Sequence, residues 1–554
     1  MLKRKMLSVF VLYAFLLPTI AFGQKAAPAP YQAPQDVIDK IKEEGSKNSQ
    51  VMQTLSYLTD VIGGRLTNSP NMRRANVWTR DEMKKWGMQN AHLEAWGPFG
   101  RGWELKNFSA QIVEPQAIPV IAYPKAWSPS TKGAITGEVV YFEAKTDEDF
   151  AKYKGQLKNK IVLMSPLREV KAEDKAFMVR YTDAELAKLA EAPDPASVQR
   201  PQRPDQPQMT PQMLERLKGF MTSLKAMNFI IDEGAAVIVD SSSRGTGGTL
   251  FVSGATVAQP VPENPADLFS RRGDRLSPQD KAAESKMLPQ MTMAIEDYNR
   301  LVRMIKFGVK PMMTVNIDAK YYDDDLMGYN TIAEIPGTDP KLKDEIVMLG
   351  GHLDSWHSST GATDNAAGSA VAMEAARIIL AAGLKPRRTI RVALWSGEEQ
   401  GLYGSRAYVK EHFGEFKGEG NSRELAKTPE YEKLSAYYNL DNGTGKIRGV
   451  YLQGNAAAAP IFKTWLMPFA DMEAKTLTLS NTGGTDHLSF DAIGLPGFQF
   501  IQDEIEYDTR THHSNQDNFD RIQADDMKQA ATIMAAFVYQ TAMMDGKIPR
   551  KEVK

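Results

Sequence analysis

The 554-residue chain has no cysteine. That excludes a disulfide framework, thiol catalysis, cysteine-ligated zinc and a cysteine-linked lipid anchor. A surplus of one charge sign is missing too, since 67 basic residues meet 68 acidic ones for a net charge of −1. No nucleic acid and no anionic membrane is expected as a partner through bulk charge. Histidine is scarce at seven residues, so where the histidines fall is informative. One long hydrophobic run stands out, at 6–22. Lys3, Arg4 and Lys5 precede it, and Ala21, Phe22 and Gly23 offer small residues at its end. This is the pattern of a secretory signal peptide. The run is short for a membrane span and contains Pro18. Residues 1–23 are expected to be removed, leaving a secreted or periplasmic protein with no membrane contact that begins near Gln24.

A chain of this length exceeds one ordinary core, so two or more domains are expected. Residues 25–34 are Ala/Pro-rich and read as a loose tail. From 35 to about 108 the pattern is helical, as at 51–58 and 71–86. From 109 to 316 short apolar runs at 139–142, 161–164 and 235–239 alternate with turns, which suits a mainly β unit. An excursion at 170–230 interrupts it. There Thr182 and Glu185 form a capping-box pattern, and Pro211 after Thr210 suits a second helix start. Pro193, Pro195, Pro201, Pro204 and Pro207 forbid regular structure between them. The excursion reads as a mobile surface segment or as a lid. From 317 to 546 strands and helices alternate, the mark of an α/β fold with a mostly parallel sheet flanked by helices. Helices are expected over 365–382 and 522–544, followed by a polar tail at 547–554.

The chemistry gathers in this last part. The run Ile346, Val347, Met348, Leu349 leads into Gly350 to Gly368, which reads G-G-H-L-D-S-W-H-S-S-T-G-A-T-D-N-A-A-G. A buried strand thus delivers His352 and then Asp354 and Asp364. Glu398 and Glu399 follow an apolar run at 390–395, and Asp441 follows one at 435–440. His512 and His513 come near the end. Each piece alone is weak, because polar residues at strand ends are commonly caps or turns. Their order changes that. In open α/β sheets, ligands bind at the carboxyl ends of strands, and each polar group here follows its own apolar strand. Five of the seven histidines (His352, His357, His487, His512, His513) lie in these segments, while His92 and His412 read as ordinary. Peptide hydrolysis at neutral pH is served by two divalent metals about 3.5–4 Å apart, and zinc takes imidazole and carboxylate donors. His352, Asp364, Glu399, Asp441 and His513 supply such a donor set. Glu398, beside a ligand, is where a general base belongs. Asp354, two residues past His352 on extended backbone, points the same way and can orient that imidazole.

The segments G-G-H-L-D-S, T-D-N-A-A-G, S-G-E-E-Q-G-L-Y-G-S, N-L-D-N-G, T-D-H-L-S-F and H-H-S-N-Q-D resemble the motifs of the co-catalytic dizinc exopeptidases. That family includes aminopeptidase Y, plasma glutamate carboxypeptidase and the transferrin receptor. The resemblance implies two Zn2+ ions. His352 and Asp441 would bind one, Glu399 and His513 the other, and Asp364 would bridge. It implies Glu398 as proton shuttle, Asp354 as the orienting residue, and a cis peptide between Asp364 and Asn365. The His513-Ser514-Asn515-Gln516-Asp517 register selects His513 over His512. Asp486, His487 and Tyr507 are candidates for substrate contact or ligand support, and the role of 356–360 stays open. The 109–316 unit is similar to a protease-associated domain. Gly63-Gly64-Arg65-Leu66-Thr67 and Lys85-Trp86-Gly87-Met88 resemble the family's N-terminal portion.

The expected activity is that of a secreted exopeptidase acting on peptides, foremost an aminopeptidase or dipeptidase. A metallocarboxypeptidase with the same site is the alternative, and it needs a cation such as Arg510 for the substrate carboxylate. A one-zinc glutaminyl cyclase-like acyl transferase and a non-catalytic binding protein are the alternatives of another class. An oligomer is compatible with all of them.

Overall fold

The computed structural model describes residues 30–195, 197, 210–265, 267–270, 275–418 and 423–551. The expected signal peptide at 1–23, the start of the Ala/Pro-rich tail, Pro201, Pro204 and Pro207, and residues 552–554 lie outside the described residues. Among those described, the strands form two eight-stranded sheets and a two-stranded hairpin, and no helix is long and apolar enough to cross a membrane.

The first sheet carries the motifs. At its centre, Thr389–Trp395, Ile346–His352, Leu434–Asn439 and Gly497–Gln502 run parallel in that spatial order. Every residue of Ile346–His352 and of Leu434–Asn439 is buried. Both faces are covered, which is why these strands read as continuous apolar runs without alternation. Gln89–Trp96 and Gly328–Ile335 extend one edge antiparallel. Ile447–Tyr451, antiparallel to Gly497–Gln502, and Thr476–Thr478 complete the other. Helices Gln35–Lys47, Ala367–Ala381 and Ala524–Met543 pack on one face. Tyr403–His412 packs on the other. Ala524–Met543 is buried nearly all round from Asp526 to Ala542, as a helix inside a large core must be.

The second sheet begins and ends in a long antiparallel ribbon of Gly102–Glu114 with Met312–Tyr322. Between them lie Ile135–Tyr141, Ile161–Leu163 and Val237–Ser241, which carry the three apolar runs. Helices Pro211–Asp232 and Ile295–Lys306 belong to the same unit.

Several local expectations hold. Thr182 and Glu185 form a reciprocal capping box. Thr210 caps Pro211–Asp232 with proline in the first turn. Others shift. Residues 89–96 and 102–108 are strands, not part of a helical stretch. Gln89–Trp96 is an edge strand with one neighbour, so only Trp96 in it is buried and no apolar period marks it. The helix expected from Asn365 begins at Ala367 because Asp364 and Asn365 have non-helical backbone angles. Residues 547–551 pack against the body: Ile548 is buried, and Arg550 donates to the Tyr431 and Leu434 carbonyls.

Candidate metal centre

Ile346–His352 ends with its histidine at the carboxyl edge of the sheet. The His352 Nδ1–H faces the Asp354 backbone carbonyl at 3.0 Å, which turns Nε2 toward the carboxylates. Nε2 lies 3.2 Å from Asp364 Oδ1, 3.4 Å from Asp441 Oδ1 and 4.0 Å from Glu398 Oε2. A second group surrounds the other oxygen of Asp364. His513 Nε2 is 3.3 Å from Asp364 Oδ2 and 2.8 Å from Glu399 Oε2. One carboxylate therefore faces two donor pairs, His352 with Asp441 and His513 with Glu399.

His512 also reaches Asp364 Oδ2, at 3.9 Å. Its ring stacks on Tyr507 with centroids 4.7 Å apart, and its Nδ1 lies 3.5 Å from the Arg244 guanidinium. Asp364 with His512 and His513, and His352 with Asp364 and Glu399, are two overlapping clusters whose donor atoms lie within 4.8 Å of one another. The contact with Glu399 distinguishes His513 from His512.

These groups fit a metal. His352 Nε2, Asp364 Oδ2, Glu399 Oε1 and Asp441 Oδ1 are buried and have no hydrogen-bond partner, an expensive state for polar atoms unless a cation satisfies them. Nitrogen and carboxylate donors in this mixture suit zinc. Electrostatics agree. Burial disfavours a charged His352, yet Asp441 and Glu398 outweigh it and raise the imidazole well above its ordinary value. A field that favours a proton there favours a metal cation in its place. Burial also opposes ionised Asp364, but His352 and His513 hold its carboxyl below the usual range. Glu398 is pushed well above that range by burial, against His352 and with help from Asp441 and Asp486.

The backbone explains the positions. A Cβ on Gly368 would collide with the Leu440 carbonyl, so glycine lets Ala367–Ala381 start close behind the sheet edge. The Asp364–Asn365 peptide is cis. Asp517 accepts from the N–H of Thr363 at 2.6 Å and of Asp364 at 3.1 Å. Burial, reinforced by the Asp364 charge, pushes the Asp517 carboxyl up to about 7. Asp354 does more than the extended-strand reading implied. Its carboxylate, 3.6 Å from His352 Nδ1, accepts from the Thr67 hydroxyl at 2.9 Å and from the N–H groups of Glu398 and Glu399 at 3.3 Å each. It thereby ties two strand ends together.

Two of the five motif histidines point elsewhere. His357 sits half-buried beside Trp103 and Tyr123 of the second unit, with Nε2 2.6 Å from the Pro124 carbonyl, and desolvation of its ring lowers it to about 4. Its neighbour Trp356 packs edge-on against His513 with centroids 5.8 Å apart. His487 faces Gln453 and the Thr482 carbonyl, and burial lowers it likewise to about 4. Asp486 is fully buried and pushed up to about 7 by that burial, against the pull of His352. Burial and the Asp364 and Asp441 charges push the Tyr507 phenol well above its usual value.

Arg65 was visible in sequence only as part of a resembling segment. It is fully buried and donates to the carbonyls of Leu353 at 2.6 Å, Thr360 at 2.7 Å and Gly361 at 2.8 Å. It thus fixes the loop between His352 and Asp364. A lone arginine with no periodic context carries no sequence signal for that task.

Residues 330–538 match the model of peptidase family M28. Mouse carboxypeptidase Q is 25% identical over 557 residues, 97% of this chain and 99% of that protein. A peptidase M28 precursor from Shewanella amazonensis has a similar fold, with a TM-score of 0.60 at 21% identity over 94% of this chain and 99% of that one. A zinc aminopeptidase from Bacillus subtilis superposes with a TM-score of 0.52 at 17% identity, covering 90% and 96% of the two chains.

Proposed function

Because residues 330–538 match the model of peptidase family M28, we propose that the chain is a zinc metallopeptidase of the exopeptidase type that cleaves short peptides at a two-ion centre divided by Asp364. His352, Asp441 and Asp364 Oδ1 would hold one Zn2+, and His513, Glu399 and Asp364 Oδ2 the other. The observation that carries this reading is the set of buried donor atoms without partners converging on both oxygens of one carboxylate. Metal at such a donor set supplies Lewis acidity toward a peptide carbonyl and a nucleophile at neutral pH.

The protein's own groups do the rest. Glu398 is not needed as a ligand, and its Oε2 lies 4.0 Å from His352 Nε2. It takes the proton of the attacking water and returns it to the leaving amine. Burial, before any other cause, holds its carboxyl well above the usual range, which favours its keeping the proton between the two steps. Asp354 holds the Glu398 backbone and the side of the site where His352 sits. The carboxylates around the site suit a free substrate ammonium, which favours an aminopeptidase or dipeptidase. A carboxypeptidase would need a cation. Arg510 is engaged with Glu506 and lies over the Phe177 ring, whereas Arg244 stands beside His512. We read the second sheet as a protease-associated domain and the protein as exported.

The test is a screen of the protein against peptides blocked at one terminus, together with zinc per chain. Loss of cleavage on N-blocking alone supports the aminopeptidase reading, loss on C-blocking alone the carboxypeptidase, and loss on either the dipeptidase. Zinc near two per chain supports the divided centre. Zinc near one removes it.

A further inference from the structure

Four of the five proposed ligands are held by the catalytic sheet and what immediately follows it. His352 closes its strand, Asp441 comes two residues after Leu434–Asn439 and Glu399 four after Thr389–Trp395. Asp364 adjoins the start of Ala367–Ala381. His513 differs, standing eleven residues beyond the end of Gly497–Gln502. A loop of that length is mobile unless tied down; the catalytic fold holds it through Thr363 on Thr511 and Arg521 on Glu506, and two further sets of ties come from outside that fold.

On one flank the second unit supplies them. Val252 N–H donates to the His513 carbonyl at 3.0 Å, and Asn515 exchanges bonds with Leu250. On the other flank lies the start of the 170–230 insertion. Val179 and Ile505 exchange two backbone hydrogen bonds, at 2.7 and 2.9 Å. The Thr509 hydroxyl donates to the Phe177 carbonyl at 2.7 Å, and the Arg510 guanidinium lies 3.9 Å over the Phe177 ring. Arg180 anchors this segment to the body by bridging Asp503 at 3.0 Å and Asp526 at 2.7 Å. Ile505, opposite Val179, has φ +58°. A β-branched residue adopts that left-handed conformation only where its surroundings impose it.

We propose that residues 177–181 are a clasp that positions the loop bearing His513, so that the insertion completes the second half of the metal centre. The residues of the clasp are positioning residues. They touch neither ion nor substrate and act through the loop at 504–513. The inference rests on the two-ion reading above. It assigns the insertion the task of setting the affinity of one ion and not the other.

The test uses the full chain with Val179→Pro, which removes the N–H donated to Ile505, and Arg180→Gln, which opens the anchor without touching the backbone. Zinc per chain is followed through a chelator titration, and melting temperature is measured without zinc. The parent protein should hold two ions. Each variant should hold one ion as the parent does and bind the other about 10–100-fold more weakly, the usual scale for groups that orient a ligand from behind. Adding either substitution to His513→Ala should change the zinc titration little beyond His513→Ala alone, because the clasp acts through that ligand. Unchanged affinity for both ions in both variants overturns the clasp. Equal loss of both ions with a lower zinc-free melting temperature also overturns it, since that is general destabilisation. A parent protein holding one ion removes the two-ion reading itself.

Discussion

Asp517 accepts the backbone N–H of Asp364 at 3.1 Å, so the last motif of the chain fixes the residue that divides the site. The same carboxylate takes the Thr363 N–H at 2.6 Å. Asp517→Ala leaves two buried donors without acceptors, at about 1–3 kcal/mol each. It should also lower zinc affinity about 10–100-fold by releasing Asp364. Asp517→Asn, which keeps an acceptor oxygen, should cost less on both counts. Thermal unfolding and zinc titration of the two variants check this ranking, and an Asp517→Ala protein with parental zinc affinity would contradict it.

Glu398→Ala should cut turnover by about 10²–10⁴-fold, the usual worth of a positioned acid–base group, while zinc content stays at the parental level. Steady-state kinetics and metal analysis of the same sample decide it. Normal turnover in a folded, zinc-loaded Glu398→Ala protein would remove the shuttle.

The two adjacent histidines should separate. His513 meets both Glu399 and Asp364, whereas His512 reaches only Asp364, at 3.9 Å, and stacks on Tyr507. His513→Ala should lose one zinc and most activity, and His512→Ala should keep both ions with a milder kinetic effect. The reverse pattern of zinc content would exchange their roles.

His412 offers a pH test away from the metals. It lies between Glu94 at 2.9 Å and Glu430 at 3.1 Å. Burial opposes its charge, but these two carboxylates outweigh it and raise its pKa above 6.5. The folded chain thus binds this proton more tightly than the unfolded chain. Its stabilisation is fully present below 6.5 and is lost as pH rises through the raised folded value. His412→Gln should therefore destabilise by about 1–3 kcal/mol at pH 5.5 and by clearly less at pH 9. Chemical denaturation at both pH values measures the difference, and an equal loss at both would show that the ring acts only by stacking on Tyr408, whose centroid lies 4.2 Å away.

The apolar runs before His352, Glu398 and Asp441 made the central strands legible, because a strand buried on both faces must be apolar throughout. The spacing of polar residues after those runs also picked out most of the side chains that the fold brings together around Asp364. The edge strand Gln89–Trp96 was not legible, since one neighbour and an exposed face ask little of its side chains. Nor was the start of Ala367–Ala381, which a periodic pattern placed at Asn365 and the backbone of Asp364 and Asn365 moved.

By itself the sequence determined the chemical inventory. Nitrogen and carboxylate donors at strand ends, with no thiol anywhere, exclude thiolate-ligated metal chemistry. Tertiary structure decided which donors meet. His357 follows His352 by five residues and His487 lies in the T-D-H-L-S-F segment, yet their rings turn to Pro124 and to Gln453. Arg65 and Val179 carry no local pattern because their partners lie far away along the chain, and a hydrogen bond to a distant carbonyl or loop leaves no period in the residues around it. Local periodicity records burial, which acts on each residue in place. Long-range positioning exists only once the chain has closed on itself.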